Sequence, residues 1–166
     1  MNFKITIVIC LYNAENYIVE TLESLDKQTL KDFNLLVIDD CSPDDSVSKV
    51  KEFFQTSIFR QTEIVYFDEN KGTAYARNFA LHHVKTPLMM FFDADDIAMP
   101  NLLEKLYVKM NESDANIAIS CYSKYIDMNS NKIGRWQKNL EPWESHLMNQ
   151  KIKKELLAHN YEIPNT

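Results

Sequence analysis

Three polar or acidic clusters each follow a purely apolar run. Tyr12-Asn13-Ala14-Glu15 follows Ile5 to Leu11, Asp39-Asp40 follows Leu35-Leu36-Val37-Ile38, and Asp93-Ala94-Asp95-Asp96 follows Leu88-Met89-Met90-Phe91-Phe92. Carboxylates crowded together repel one another unless protonated or bridged by a cation. Mg²⁺ and Mn²⁺ take oxygen ligands and often bind through one or two carboxylates plus substrate phosphates. Asp93 and Asp95 are two apart, so an extended segment would turn both to one side, which suits a cation held between the protein and a diphosphate. An acid-any-acid triplet can equally be a solvated loop with a helix-capping Asp. Its place after a buried-type strand argues for the metal. Asp39-Asp40 has two open readings: a helix cap beside a solvated carboxylate, or an acceptor for a nucleobase N–H. Arg77 carries a planar fork that matches diphosphate or carboxylate, and a solvated helix face is its plainer reading.

The elements that must position these residues alternate. Ile5–Leu11 reads as a strand, and Ile18, Leu22 and Leu25 give the next helix its apolar stripe, with Asn13 as a candidate cap. A second strand, Leu35 to Ile38, leads through the turn formers of 41–45 to a helix over about 46–54. Ile64 to Phe67 is the third strand. Asn70-Lys71-Gly72 breaks it, and a helix runs from about Thr73 to His83. Leu88 to Phe92 is apolar throughout, which predicts a strand buried on both faces. Pro100 suits the first turn of a helix striped by Leu102, Leu103, Leu106 and Met110. Beyond Glu112 the pattern loosens. Ile117 to Tyr125 reads as a strand, Asn129 to Lys132 as a polar turn, and 150–160 as a helix. This pattern predicts an α/β fold with a mostly parallel sheet flanked by helices. Ligands of such sheets bind beyond the carboxyl ends of the strands, where all three polar clusters fall.

Bulk properties narrow the partners. The 166 residues suit one domain, and 45% apolar with 25% charged residues is ordinary for a soluble globular chain. A net charge of −6 and no basic run argue against nucleic acid. Cys10, Cys41 and Cys121 match no zinc spacing and read as reduced thiols of a cytoplasmic protein. No run approaches the roughly 18 apolar residues of a membrane span. Peripheral membrane association stays open.

The ordered set of motifs resembles the family 2 glycosyltransferases, which have the GT-A fold. It comprises Ile7-Val8-Ile9-Cys10-Leu11-Tyr12-Asn13-Ala14-Glu15, Ser24-Leu25, Gln28-Thr29, Asp32-Phe33 and Val37-Ile38-Asp39-Asp40-Cys41-Ser42. Asn70-Lys71-Gly72, Ala76-Arg77-Asn78, Phe91-Phe92-Asp93-Ala94-Asp95-Asp96 and Met99-Pro100 complete it. The resemblance implies inverting transfer from a nucleotide-diphosphate sugar, commonly a UDP-sugar, to a glycan or lipid-linked acceptor. It implies nucleotide contacts from Leu11, Tyr12, Asn13, Glu15, Asp39, Asp40, Arg77 and Asp93. It also implies a Mn²⁺ or Mg²⁺ ion on Asp93 and Asp95, with Asp95 the main ligand. Cys41 stands where the family usually has glycine, and Phe79-Ala80 replaces the usual glycine after Arg-Asn.

The family's general base lies in an acidic motif well downstream of the metal motif. Glu141, Glu144, Glu155 and Glu162 lack that context, so the base is expected beyond Thr166. The reading is therefore a single GT-A domain over 1–166, with its donor-binding part at about 1–112, trimmed on the acceptor side. A non-catalytic nucleotide-sugar-binding module is the alternative. An aspartate-phosphorylating protein fits poorly, because the phosphohydrolase acid pair follows the first strand and Asp93 follows the fourth.

Overall fold

The computed structural model describes residues 4–59, 61–112, 122–126 and 132–137. The chain groups into two compact units, Met1–Glu104 and Lys105–Thr166. The first unit holds β1 (Ile5–Leu11), α1 (Ile18–Asp26), β2 (Phe33–Asp39), α2 (Ser46–Thr56), β3 (Thr62–Tyr66), α3 (Thr73–His83) and β4 (Leu88–Phe91), and α4 (Leu102–Asn111) begins in it. The second holds an antiparallel pair, β5 (Tyr122–Ile126) and β6 (Lys132–Gln137).

The four strands of the first unit are all parallel, in the order β3-β2-β1-β4. The chain steps outward from β1 through β2 to β3, then returns to lay β4 on the other side of β1. Strand order therefore reverses between β1 and β4, and the carboxyl ends of those two strands flank the crevice where such sheets bind ligands. Right-handed crossovers put α1 and α2 on one face and α3, which carries the chain back, on the other.

Alternation along the strands builds both layers of core. Val8, Leu36 and Ile38 pack with Ala76 and Ala80 of α3. Those two alanines are one turn apart and end at Cβ, so α3 can lie close to the sheet. Ile7, Ile9, Leu11, Leu35 and Val37 point the other way and are likewise buried, as are Ile18, Leu22 and Leu25 of α1.

Several expectations are corrected. All four residues of β4 are half-buried rather than enclosed, because among the described residues β4 pairs only with β1. Asn13 does not cap α1. The N-cap is Tyr17, without a side-chain hydrogen bond, and the chain enters the helix through a turn in which Ala14 O accepts from Tyr17 N and Ile18 N. Asn13 instead holds a left-handed φ of 53°, a conformation its short polar side chain tolerates. β2 starts two residues before Leu35, β3 covers Thr62–Tyr66, and Pro100 precedes α4. The expected strand at Ile117 to Tyr125 is seen from Tyr122 onward, and 117–121 and the helix at 150–160 lie outside the described residues. Among the described residues, no helix is long and apolar enough to cross a membrane.

Candidate donor and cation site

The acidic segment after β4 is a turn. Asp96 N donates to Asp93 O at 3.2 Å, so residues 93–96 curl back instead of running on extended. The expectation that Asp93 and Asp95 share a side because the segment is extended is thus replaced. The turn buries Ala94 and leaves Asp93, Asp95 and Asp96 exposed.

Helix α1 holds this turn and the loop after it. The Thr21 hydroxyl donates to Ala94 O at 2.8 Å, and Ser24 Oγ accepts from Ala98 N at 2.9 Å. Gln28 Nε2 donates to Met99 O at 2.8 Å, while its Oε1 accepts from Leu103 N at 3.1 Å. All three side chains are buried. Thr21 and Ser24 lie three apart on one face of the helix, and Gln28 follows just past its C-terminal cap, Lys27. These positioning residues were not recognised from sequence as such, although Ser24 and Gln28 stand inside the resembling motifs. The signal was polar residues on, and just past the end of, the helix that carries the apolar stripe of Ile18, Leu22 and Leu25.

The loop after β1 is braced by the start of α2. Asn13 N donates to Ser42 Oγ, Ala14 N to Ser46 Oγ at 2.8 Å, and Glu15 N to Asp44 Oδ2 at 3.0 Å. Glu15 Oε2 in turn accepts from Asp45 N at 3.1 Å, and Glu15 O accepts from Lys49 Nζ. Burial raises the pKa of Asp44, but donors from Ser46 and from the backbone of Glu15 and Ser46 outweigh it and hold the carboxyl below its ordinary value. Tyr12 and Asn13 are left exposed at the tip.

The two acids after β2 have separate tasks. Asp40 is buried, and its two oxygens accept from Lys71 N at 2.7 Å and Gly72 N at 2.8 Å. It clamps the turn that opens α3. Gly72 sits there at φ 84°, ψ 156°, a region essentially reserved for glycine. Asp39 Oδ1 accepts from Ser42 N at 3.2 Å. Its Oδ2 has no hydrogen-bond partner among the described residues, which leaves an acceptor at the rim. Leu11 is wholly buried and its carbonyl accepts from Asp40 N at 2.9 Å, so it lies beneath the rim rather than on it. Cys41, at φ 62°, takes the left-handed conformation that favours glycine.

On the α3 side, Arg77 Nη2 donates to Asp93 Oδ1 at 2.9 Å, and the guanidinium lies over the Phe91 ring, 5.6 Å from its centroid. Arg77 Nε is buried without a hydrogen-bond partner. Cys10, at the end of β1, has its thiol pushed up to about 11 by burial. Arg77 opposes that rise, and Asp93 and Asp40 add to it. The Asp96 carboxyl is likewise raised: although the residue is exposed overall, its carboxyl is partly shielded from water, which is the first cause, and Asp93 and Asp95 add to it.

That repulsion is what a divalent cation would relieve. Among the described residues, no three His, Cys, Asp or Glu side chains are grouped to hold a metal by themselves. Asp93 and Asp95 still offer the hard oxygen donors that Mg²⁺ or Mn²⁺ prefers, and two carboxylates leave coordination positions of the kind that diphosphate oxygens and water fill. The residues fit a cation that arrives with a diphosphate. A cleft of about 310 Å³ opens at the opposite end of the strands, beside Thr6, Asn34, Glu63 and His83. None of the residues singled out for chemistry in the sequence lines it.

The chain is 40% identical over 115 residues to the teichoic acid poly(glycerol phosphate) polymerase of Staphylococcus epidermidis, covering 69% of this chain and 16% of the relative. It is 33% identical over 132 residues to the Escherichia coli UDP-Glc:alpha-D-GlcNAc-diphosphoundecaprenol beta-1,3-glucosyltransferase WfgD, covering 80% of this chain and 49% of that one. The chain thus spans half or less of the length of these relatives. Among solved structures, it is similar to S. aureus TarS, with a TM-score of 0.60 and 29% identity over 66% of this chain and 20% of that one. It is also similar to the mannosyltransferase PcManGT of Pyrobaculum calidifontis, solved in complex with GDP-Man and Mn²⁺, with a TM-score of 0.54 and 28% identity over 57% of this chain and 28% of that one. The expected parallel α/β sheet is the fold they share. Residues 6–163 match the glycosyl transferase family 2 profile, and the chain belongs to that family.

Proposed function

We propose that this chain is the donor-binding part of a metal-assisted, inverting glycosyltransferase that takes a nucleotide-diphosphate sugar. One observation carries the reading. An exposed turn of three carboxylates, Asp93, Asp95 and Asp96, stands at the switch between β1 and β4 beside a braced rim with a spare acceptor, Asp39 Oδ2. UDP is the nucleotide we favour, in line with the donor named for the glucosyltransferase relative. The acceptor class we favour is a glycan or a lipid-linked sugar, as in that same name. The cytoplasm, where reduced thiols persist, suits Cys10 and Cys41, which are both free.

In this reading, Tyr12 and Asn13 flank the base and Asp39 Oδ2 accepts from a base N–H. Glu15 and Asp40 act through the backbone they fix rather than by touching the nucleotide. Asp93 and Asp95 hold the cation, with Asp95 the freer of the two because Asp93 is engaged by Arg77. A divalent cation bound there would neutralise charge on the diphosphate leaving group. No residue of this chain is assigned as the base that deprotonates the acceptor.

The test is thermal unfolding with a panel of nucleoside diphosphates, each with and without Mn²⁺ or Mg²⁺. UDP with a divalent cation is expected to raise the melting temperature, and Asp95→Ala is expected to remove the cation-dependent part. A panel with no shift would overturn the reading of the site. An unchanged shift in Asp95→Ala would overturn the metal assignment alone.

A further inference from the structure

We propose that Arg77 is a built-in competitor of the divalent cation for Asp93: its guanidinium holds Asp93 Oδ1 in the ligand-free protein and weakens cation binding by the Asp93–Asp95 pair until it lets go. The inference rests on the donor-and-cation reading above.

The arrangement goes beyond an ordinary surface pair. An exposed ion pair contributes little by itself, and the Asp93 side chain is 61% exposed. Arg77, however, is only 34% exposed and is held on more than one side. Its plane lies over Phe91, the last residue of β4. Its Nη2 reaches Asp93 two residues further on. The backbone on either side of Asp93 is fixed, because Phe92 N donates to Val8 O at 2.9 Å and Ala94 O is held by Thr21. Asp93 therefore meets the guanidinium without any rearrangement of the turn.

The bound position is also costly for the arginine. Nε is buried and unpaired, and a buried donor without an acceptor carries a desolvation penalty. A guanidinium that swings away regains a partner for that N–H, from water or from an anionic oxygen. One side of this equilibrium thus has the Asp93 contact and an orphaned Nε. The other has a satisfied Nε and a free Asp93 carboxylate. Cation binding favours the second state only as far as the cation prefers a free Asp93. A monocation that sits on a ligand carboxylate lowers the affinity of a dication for it. An incoming diphosphate reverses that by giving the guanidinium an anionic partner of matching geometry.

The experiment measures Mn²⁺ binding directly, from the paramagnetic resonance signal of free Mn²⁺, with and without UDP. It compares wild type, Arg77→Gln, Arg77→Lys, Asp93→Asn and the double variant Arg77→Gln/Asp93→Asn. Without UDP, Arg77→Gln is expected to bind Mn²⁺ roughly threefold or more tightly than wild type, the scale set by loss of one partly exposed charge pair. Arg77→Lys, which keeps the charge but not the fork, should fall between them. The double variant should show no gain over Asp93→Asn. With UDP present, the advantage of Arg77→Gln should shrink or reverse. Unchanged or weaker Mn²⁺ binding by Arg77→Gln without UDP would overturn the proposal, as would a gain that survives in the double variant. Circular dichroism establishes that each variant is folded, and Arg77→Lys carries the comparison if Arg77→Gln is not. A wild type that binds no Mn²⁺ even with UDP would overturn the cation reading itself, a different outcome from wild-type binding that is insensitive to Arg77.

Discussion

The Thr21 hydroxyl donates to the Ala94 carbonyl at 2.8 Å, across 73 residues of chain and between two buried groups. Through this contact, a helix buried against the sheet sets the backbone that presents Asp93 and Asp95. Thr21→Val keeps the shape and removes the donor, leaving the Ala94 carbonyl unpaired. A loss of about 1–3 kcal/mol in urea unfolding is expected, together with weaker cation-dependent nucleotide binding. Wild-type stability in this variant would show that the contact does not hold the turn.

Gln28 is a sharper case because it satisfies both a donor and an acceptor. Gln28→Leu fills similar space but orphans Leu103 N and removes the side-chain donor to Met99 O, which keeps its bond from Leu102 N. The expected cost is about 1–3 kcal/mol, set by the one buried N–H left unpaired. Gln28→Glu, which retains the acceptor for Leu103 N but loses the donor to Met99 O, should cost as much or more, because it also buries a charge. Chemical denaturation of the two variants checks both magnitudes.

Gly72 tests the clamp that Asp40 makes. A Cβ added at Gly72 meets nothing within 4 Å, so Gly72→Ala changes the backbone preference and no packing. With φ at 84° and ψ at 156°, the strain should lower stability by about 1–3 kcal/mol. Asp40→Asn should act on the same turn, since an amide NH₂ would face a backbone N–H that now points at a carboxylate oxygen. Both variants are expected to weaken nucleotide binding through the displaced Lys71-Gly72 turn, and equilibrium unfolding with binding measurements will show whether they do.

Asp44 predicts a feature of the acid limb. Its folded pKa is depressed, because the donors from Ser46 and from the backbone of Glu15 and Ser46 outweigh the burial that raises it. Its stabilising contribution is therefore fully present above the unfolded value of about 3.9 and is lost as pH falls through the lower folded value. Asp44→Asn should flatten stability against pH in that acid window and leave the slope near neutral pH unchanged. A slope unchanged at acid pH would show that the brace carries no net charge stabilisation.

Asp96 predicts the opposite sign at neutral pH. Burial and its neighbours Asp93 and Asp95 disfavour its charged form in the folded state. Asp96→Asn should therefore raise the melting temperature in the presence of a chelator. That advantage should narrow when Mn²⁺ and UDP are added, because a cation already relieves the repulsion in wild type. Differential scanning calorimetry under the two conditions measures this directly.

Much of this architecture was readable in the sequence because it is set by local pattern. Apolar runs such as Ile5–Leu11 and the stripe Ile18, Leu22 and Leu25 carry the periodicity of their own elements, and α3 has the expected limits of Thr73 and His83. The alternation of strand and helix fixes a parallel sheet, and the parallel sheet gathers Tyr12, Asp39 and Asp93 at one end. The tertiary structure alone decided what each of those residues does there. Asp40 turned out to clamp Lys71 and Gly72, Glu15 to brace α2, Asp93 to sit in a turn under Arg77, and β4 to be half-buried. The reason is physical: periodicity reports which side of its own element a residue faces. Hydrogen bonds between groups 16, 31 or 73 positions apart depend on where the folded sheet brings other elements, which no local pattern encodes.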